Sequence, residues 1–164
     1  MYESDGFDIS KERQRFMRTI KWGVMGTAGI FENCTAPGMQ QADNCKMYAI
    51  AGRSMEKAEQ FKEKYGFEKA YGSYEELLAD PQVEAVYIPL PNTMHYEWAI
   101  RALQSGKHVL CEKPLAPSEE QAKEMFAAAE ENHVYLMEAF AYQHSPYIAA
   151  VDREIRAGVI GDVR

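Results

Sequence analysis

The sequence lacks a long apolar run. No stretch approaches the ~18 consecutive apolar residues that a spanning helix needs, so no membrane partner is expected. It also lacks an excess of positive charge: 18 Lys+Arg stand against 25 Asp+Glu, a net charge of −7. Neutralising a phosphate backbone takes clustered Lys and Arg, so no nucleic-acid partner is expected either. Cysteine is scarce. Cys34, Cys45 and Cys111 are odd in number and in no metal-ligand spacing, and they read as free thiols in a reducing compartment. The first 20 residues, MYESDGFDISKERQRFMRTI, carry charge where a secretory signal carries an apolar core, and the expected location is cytoplasmic. Repeats and low-complexity segments are missing as well. What is left is a chain of 164 residues, long enough for one domain with a sizeable core.

Within it, strand and helix patterns alternate. Residues 1–18 read as a polar arm. TIKWGVMG, from Thr19, reads as a strand running into a glycine turn, with a helix from about Ile30. MYAIAGR (Met47 to Arg53) is a buried strand. Ser54 is an N-cap candidate, and Lys57 to Tyr65 a helix. Lys69 to Tyr71 suits a short strand. Ser73 and Glu76 form a capping-box pattern for a helix ending near Asp80-Pro81. VEAVYIPL (Val83 to Leu90) is short, apolar and β-branched, as strands buried on both faces are. From Thr93 to Gln104, Met94, Trp98, Ala99, Ala102 and Leu103 fall on one helical stripe that Gly106 stops. His108 to Pro114 is a strand, Ser118 to Asn132 a helix, Val134 to Phe140 a strand, and Pro146 to Ala157 a last helix. This alternation predicts an α/β fold, Rossmann-like and doubly wound, with a mostly parallel six-stranded sheet and helices on both faces. Ligands of such sheets bind beyond the carboxyl ends of the strands. The segments to watch are therefore Gly26 to Ile30, Arg53, Pro89 to His95, Glu112 to Pro114 and Glu138 to Tyr142.

At the first of these, Gly26-Thr27-Ala28-Gly29-Ile30-Phe31 aligns with a G-x-G-x-x-G dinucleotide fingerprint. Ala28 replaces the second glycine, whose role is to let the backbone approach a diphosphate, and an extra methyl is tolerable there. Phe31 replaces the third, where helix and strand should pack closely. The N–H groups at Gly29 and Ile30 would still face a diphosphate. The ordinary alternative is a plain strand-to-helix turn. The second strand ends in Arg53, where NAD-binding domains carry a carboxylate for the ribose hydroxyls. A guanidinium suits a 2′-phosphate instead, with Ser54 and Lys57 close by, which favours NADP over NAD. A surface arginine at a helix start is the ordinary reading.

PLPNTMH follows the fourth strand. Pro89 and Pro91 stiffen the exit, Asn92 can cap the next helix, and His95 falls in its first turn, where a lone histidine is commonly solvated. The next strand ends in Cys111-Glu112-Lys113-Pro114, which puts a carboxylate and an ammonium at the crevice mouth. Their close pairing would keep both charged. A lysine so placed can hydrogen-bond a substrate oxygen and stabilise developing alkoxide charge, whereas a surface ion pair would do little.

These segments, IKWGVMGTAGI, AIAGRSMEKA, VYIPLPNTMHYEWAIRALQSGKHVLCEKPLA and YLMEAFAYQHSP, resemble the Gfo/Idh/MocA oxidoreductases, the family of glucose–fructose oxidoreductase and inositol dehydrogenase. Within it they are most similar to the NADP-dependent dihydrodiol and D-xylose dehydrogenase branch. The resemblance covers about Thr19 to Arg164. It implies a Rossmann domain over residues 19–158, with Gly26, Thr27, Ala28, Gly29 and Ile30 on the pyrophosphate and Arg53 and Lys57 at the 2′-phosphate. It places Leu90, Pro91, Asn92 and His95 along the cofactor crevice, Glu112 near the nicotinamide ribose, and Lys113 on the reacting hydroxyl as the catalytic residue. Where the branch reads Ser-Arg this chain has Gly52-Arg53. Where similar members read M-E-A-F-x-Y-R-x-H-P, Gln143 replaces the arginine and Ser145 the histidine, with His144 one place earlier. Family enzymes continue into an α+β domain that completes the substrate pocket and usually carries the oligomer contact. GVIGDVR stands where its first strand would begin, so residues 159–164 read as the start of a linker, and the chain alone is expected not to turn over.

Three readings follow. The chain belongs to an oxidoreductase that transfers a hydride between NADP and a sugar, polyol or diol; or it is a free-standing nucleotide-binding or scaffolding module; or it is another Rossmann-like enzyme such as a methyltransferase, against which Glu112-Lys113-Pro114 argues.

Overall fold

The structure is a computed structural model that describes residues 18–163. The arm expected over residues 1–18 falls, except for Arg18, outside the described residues. Six strands form one sheet in the order β3-β2-β1-β4-β5-β6: β1 (Ile20–Met25), β2 (Cys45–Ala51), β3 (Lys69–Tyr71), β4 (Ala85–Ile88), β5 (His108–Glu112) and β6 (Leu136–Ala139). Every pairing is parallel. Among the described residues the α-helices are α1 (Ala36–Gln41), α2 (Met55–Tyr65), α3 (Tyr74–Ala79), α4 (Asn92–Gln104), α5 (Glu119–Glu131) and α6 (Pro146–Arg156), with a 3₁₀ turn at Ala141–His144. This is the doubly wound architecture the alternation predicts. Its strand order reverses between β1 and β4, so the two βαβ halves part there and leave a crevice at the strand carboxyl ends.

Alternate residues feed two cores. Met25, Val86, Ile88, Val109 and Cys111 pack with Trp98, Ala102 and Leu103 of α4 and Met125 of α5. Val24, Ile50 and Tyr87, their neighbours along the strands, pack with Phe31 and Phe67 on the opposite face. The sheet can come this close to α3 because residue 23 has no side chain: a Cβ on Gly23 would lie 2.9 Å from Leu77 Cδ2. Ser54, Ser73 and Ser118 cap α2, α3 and α5 as expected, and Glu76 closes the capping box at α3. Asn92 does not cap α4. Pro91 holds the N-cap position and its carbonyl accepts from Met94 N (2.8 Å), which makes Asn92 the first helical residue.

The largest departure is at the first helix. The turn begins helically at Gly29 and Ile30 but widens into a π-turn over Phe31–Thr35, and regular helix starts only at Ala36. Phe31 explains it. Its ring is fully buried, with centroids 5.2 Å from Tyr65, 5.8 Å from Phe67 and 6.4 Å from both Phe61 and Tyr87. The position that a glycine fills where helix and strand pack closely is here the centre of an aromatic cluster, and the wider turn makes room for it.

Three polar side chains are buried among the described residues: Asp80, His95 and Lys107. Asp80 accepts from Lys69 Nζ (2.8 Å), Tyr71 Oη (2.6 Å), Tyr48 Oη (3.1 Å) and Gln82 N (2.8 Å), while Lys107 Nζ donates to its backbone carbonyl (2.8 Å). Burial alone would raise the Asp80 pKa, but these donors outweigh it and hold the carboxyl well below its usual range. Asp80 thus ties β2 and β3 to the segment leading into β5.

Candidate cofactor and active site

The crevice is built from the ends of β1, β2, β4 and β5. Gly26 leaves β1 at φ +121°, and a Cβ there would lie 3.1 Å from Leu90 Cδ2. Its missing side chain lets the turn fold against the exit of β4, so Gly26 and Leu90, far apart in sequence, form one wall. Gly26 N bonds to Ala51 O (2.8 Å), which joins the turn to the end of β2. The first helical hydrogen bonds run from Phe31 N (3.1 Å) and Glu32 N (3.4 Å) to Ala28 O. The N–H groups of Gly29 and Ile30 precede them, and both residues are exposed. Thr27 and Ala28 are half-buried behind them. Arg53, Ser54 and Lys57 are exposed beyond β2, with Lys57 N donating to Ser54 Oγ (3.4 Å).

On the other side, Tyr87 lies at the base of the site. Its hydroxyl donates to Glu112 Oε1 (2.6 Å) and accepts from Thr35 Oγ1 (2.8 Å). Burial and then the Glu112 hydrogen bond push this phenol well above its ordinary range, which keeps it a donor. Glu112 Oε2 accepts from Lys113 N (3.3 Å). The expected Glu112–Lys113 ion pair does not form: the carboxylate turns inward to Tyr87, and the exposed lysine extends from the rim. An apolar groove of about 630 Å³ is lined by Trp22, Leu110 and Met137 among others, and Glu112 and Lys113 also line it.

A family model described as "oxidoreductase family, NAD-binding Rossmann fold", of the Gfo/Idh/MocA group, matches residues 20–140. The chain belongs to this family. Among curated Gfo/Idh/MocA relatives, it is 41% identical over 145 residues to dTDP-3,4-didehydro-2,6-dideoxy-α-D-glucose 3-reductase of Actinomadura kijaniata, covering 88% of this chain and 43% of the relative. It is 44% identical over 127 residues to an NADP⁺-dependent D-xylose 1-dehydrogenase of Haloferax volcanii, covering 77% and 39%. Among solved structures, a 3-ketoreductase from Actinomadura kijaniata in complex with NADP and TDP-benzene superposes with a TM-score of 0.85 at 40% identity, over 90% of this chain and 45% of that one. The chain spans less than half the length of these relatives.

Within this Gfo/Idh/MocA domain, Gly26 to Ile30, Leu90, and Glu112 with Lys113 stand at or just past the carboxyl ends of β1, β4 and β5, and Arg53 and Lys57 follow the end of β2. Pro91 and Asn92 are exposed at the start of α4. His95 is neither solvated nor open to the crevice. It is fully buried, with Nδ1 2.8 Å from Pro114 O and Nε2 2.8 Å from Leu90 O, so both ring nitrogens face protein carbonyls and none faces a ligand. Gln143 and His144 are exposed in the 3₁₀ turn, and Ser145 caps α6 by accepting from Tyr147 N (3.3 Å). Glu138 lies in a segment that the sequence marks and in the M-E-A-F element, but the motifs assign it no role; its Oε1 accepts from Leu115 N (2.8 Å) beside the lysine turn. Its place at the end of a predicted strand was the available signal. Burial pushes the thiols of Cys45 and Cys111 up to about 11 and about 12, which leaves both as weak nucleophiles.

Proposed function

We propose that the chain is the NADP-binding part of an oxidoreductase acting on a hydroxyl or carbonyl of a sugar, polyol or diol, with residues 19–158 as the cofactor domain. One observation carries the reading: a glycine turn with free N–H groups and a Glu-Lys pair share the crevice where the strand order reverses. The residues present fit the cofactor. The turn leaves β1 at a glycine with φ +121°, and the exposed Gly29 and Ile30 stand at a helix start, where N–H groups lack intrahelical partners. NADP, when bound, supplies the hydride acceptor, or as NADPH the donor. Gly26 to Ile30 bind the diphosphate. Arg53, with Lys57 one turn on, pairs with the 2′-phosphate. Leu90, Pro91 and Asn92 border the crevice, and Glu112, aimed by Tyr87, faces the nicotinamide ribose. Lys113 donates to the substrate oxygen and stabilises the charge that grows on it. Relatives named for xylose, a dTDP-sugar and trans-1,2-dihydrobenzene-1,2-diol support the substrate class.

Fluorescence titration with NADPH and NADH tests this. Arg53→Ala is expected to weaken NADPH roughly 10- to 100-fold, the loss of a charge-assisted bond, and NADH by no more than about twofold. Equal, weak binding of both cofactors by the parent protein sinks the arginine assignment. In the whole enzyme, Lys113→Ala should lower turnover by about 10²-fold or more, and unchanged turnover removes the lysine from the chemistry. The open apolar groove favours a second reading, a nucleotide-binding module whose groove takes a protein partner. NADPH binding with no polyol or sugar oxidation by the whole protein would select it.

A further inference from the structure

Lys113 is exposed, and a flexible four-carbon side chain positions an ammonium only as well as its backbone is held. The backbone around it is held from both sides. Ahead of it, Glu112 accepts from Lys113 N and is itself fixed by Tyr87. Behind it lies the Pro114–Leu115 peptide. Its oxygen is 2.8 Å from His95 Nδ1, and its N–H donates to Glu138 Oε1 at 2.8 Å. One peptide plane, a residue past the lysine, is thus gripped at its oxygen by α4 and at its nitrogen by β6. The other ring nitrogen of His95 lies against Leu90 O, in the wall that also packs on Gly26. His95 itself is fully buried, so its ring N–H is costly to leave unpaired.

We propose that His95 and Glu138 are positioning residues for Lys113. They clamp the Pro114–Leu115 peptide, and His95 registers the lysine turn against the exit of β4 and so against the glycine turn. The proposal rests on Lys113 facing the substrate, but the clamp itself is testable without cofactor.

Amide hydrogen exchange of Leu115 measures the clamp, with Val109, whose N–H bonds to Tyr135 O inside the sheet, as the internal reference. The amide nitrogen of Asn sits close to the place of Nδ1, and that of Gln close to the place of Nε2. His95→Asn should therefore keep the bond to Pro114 O and leave Leu115 exchange within about threefold of the parent, whereas His95→Gln should speed it about tenfold with Val109 unchanged. Glu138→Gln, which still offers an acceptor oxygen, should raise it less than Glu138→Ala. Leu115 rates that do not differ between the Asn and Gln variants, or that rise only in step with Val109, overturn the clamp. A second readout links the clamp to the site: acetylation of Lys113, followed by mass spectrometry. Bound NADPH should shield Lys113 in the parent and in His95→Asn, and not in His95→Gln at saturating NADPH. Equal shielding in all three overturns the positioning role. If the parent binds no NADPH, the cofactor reading falls, while Leu115 exchange still decides the clamp.

Discussion

The two halves of the sheet hold their parts of the crevice by opposite means. On the β1–β3 side the groups that meet solvent, Gly29, Ile30, Arg53 and Lys57, are exposed, and the order beneath them comes from packing: Phe31 and its ring of aromatic neighbours. On the β4–β6 side the order comes from polar contacts that are buried or half-buried: Tyr87 donating to Glu112, the His95 ring lying against two carbonyls, and the peptide after the lysine turn donating to Glu138. The difference matches the two tasks proposed for the two sides. A long guanidinium can find a phosphate from a loose start, because charge acts over several ångströms. A group that touches a reacting atom has to be in place beforehand.

The largest effect should come from removing the packing. Phe31→Ala is expected to cost about 3–5 kcal/mol in urea unfolding, since an aromatic cluster cannot collapse into the space of a whole ring. If the cost is below about 1 kcal/mol, the β1–β3 side does not rest on that ring. Asp80 joins the halves and comes next. Asp80→Asn should cost about 2–3 kcal/mol, because Lys69, Tyr71 and Tyr48 lose their charged acceptor. Its folded pKa is depressed, so its contribution is fully present above the unfolded value, near 4, and fades as pH falls below that. Acid titration of the parent and Asp80→Asn should show their stabilities converging below pH ~4 and separated by a constant gap from about pH 5 to 7. Tyr87→Phe sharpens the contrast on the other side. It should cost only about 1 kcal/mol of stability yet leave Glu112 free to reach Lys113, visible as slower acetylation of the lysine. The smallest effect is expected at Gly52. A Cβ there would lie 3.4 Å from Ser54 O and 3.5 Å from Thr27 Cγ2, an ordinary fit, so Gly52→Ala should change stability by less than about 1 kcal/mol.

Much of the fold could be read from the sequence because periodicity and capping are local. The alternation gives all six strands, and serine at positions 54, 73 and 118 marks three helix starts. The strand limits run long, as at Val83 to Leu90 against Ala85–Ile88, since apolar character continues after ladder bonding ends. The same locality limits the site. Gly26, Arg53 and Glu112-Lys113 are visible as motifs. The roles of Phe31, His95 and Glu138 depend on partners as far as 56 positions away, and no spacing rule links them. The stripe on α4 shows the same lesson: Trp98, Ala99, Ala102 and Leu103 are buried as the spacing predicts, and His95, one residue past Met94, joins them with its ring nitrogens each 2.8 Å from a backbone carbonyl.

The central position of β1 also matters during synthesis. Its Val24 pairs with Ile50 on one side and with Tyr87 on the other. A ribosome adding roughly 5–20 residues per second needs about 3–13 s to reach Tyr87 after Val24 has been made. Throughout that interval one edge of an apolar strand waits without its partner, and the nascent chain is open to chaperones there before the crevice between β1 and β4 can exist.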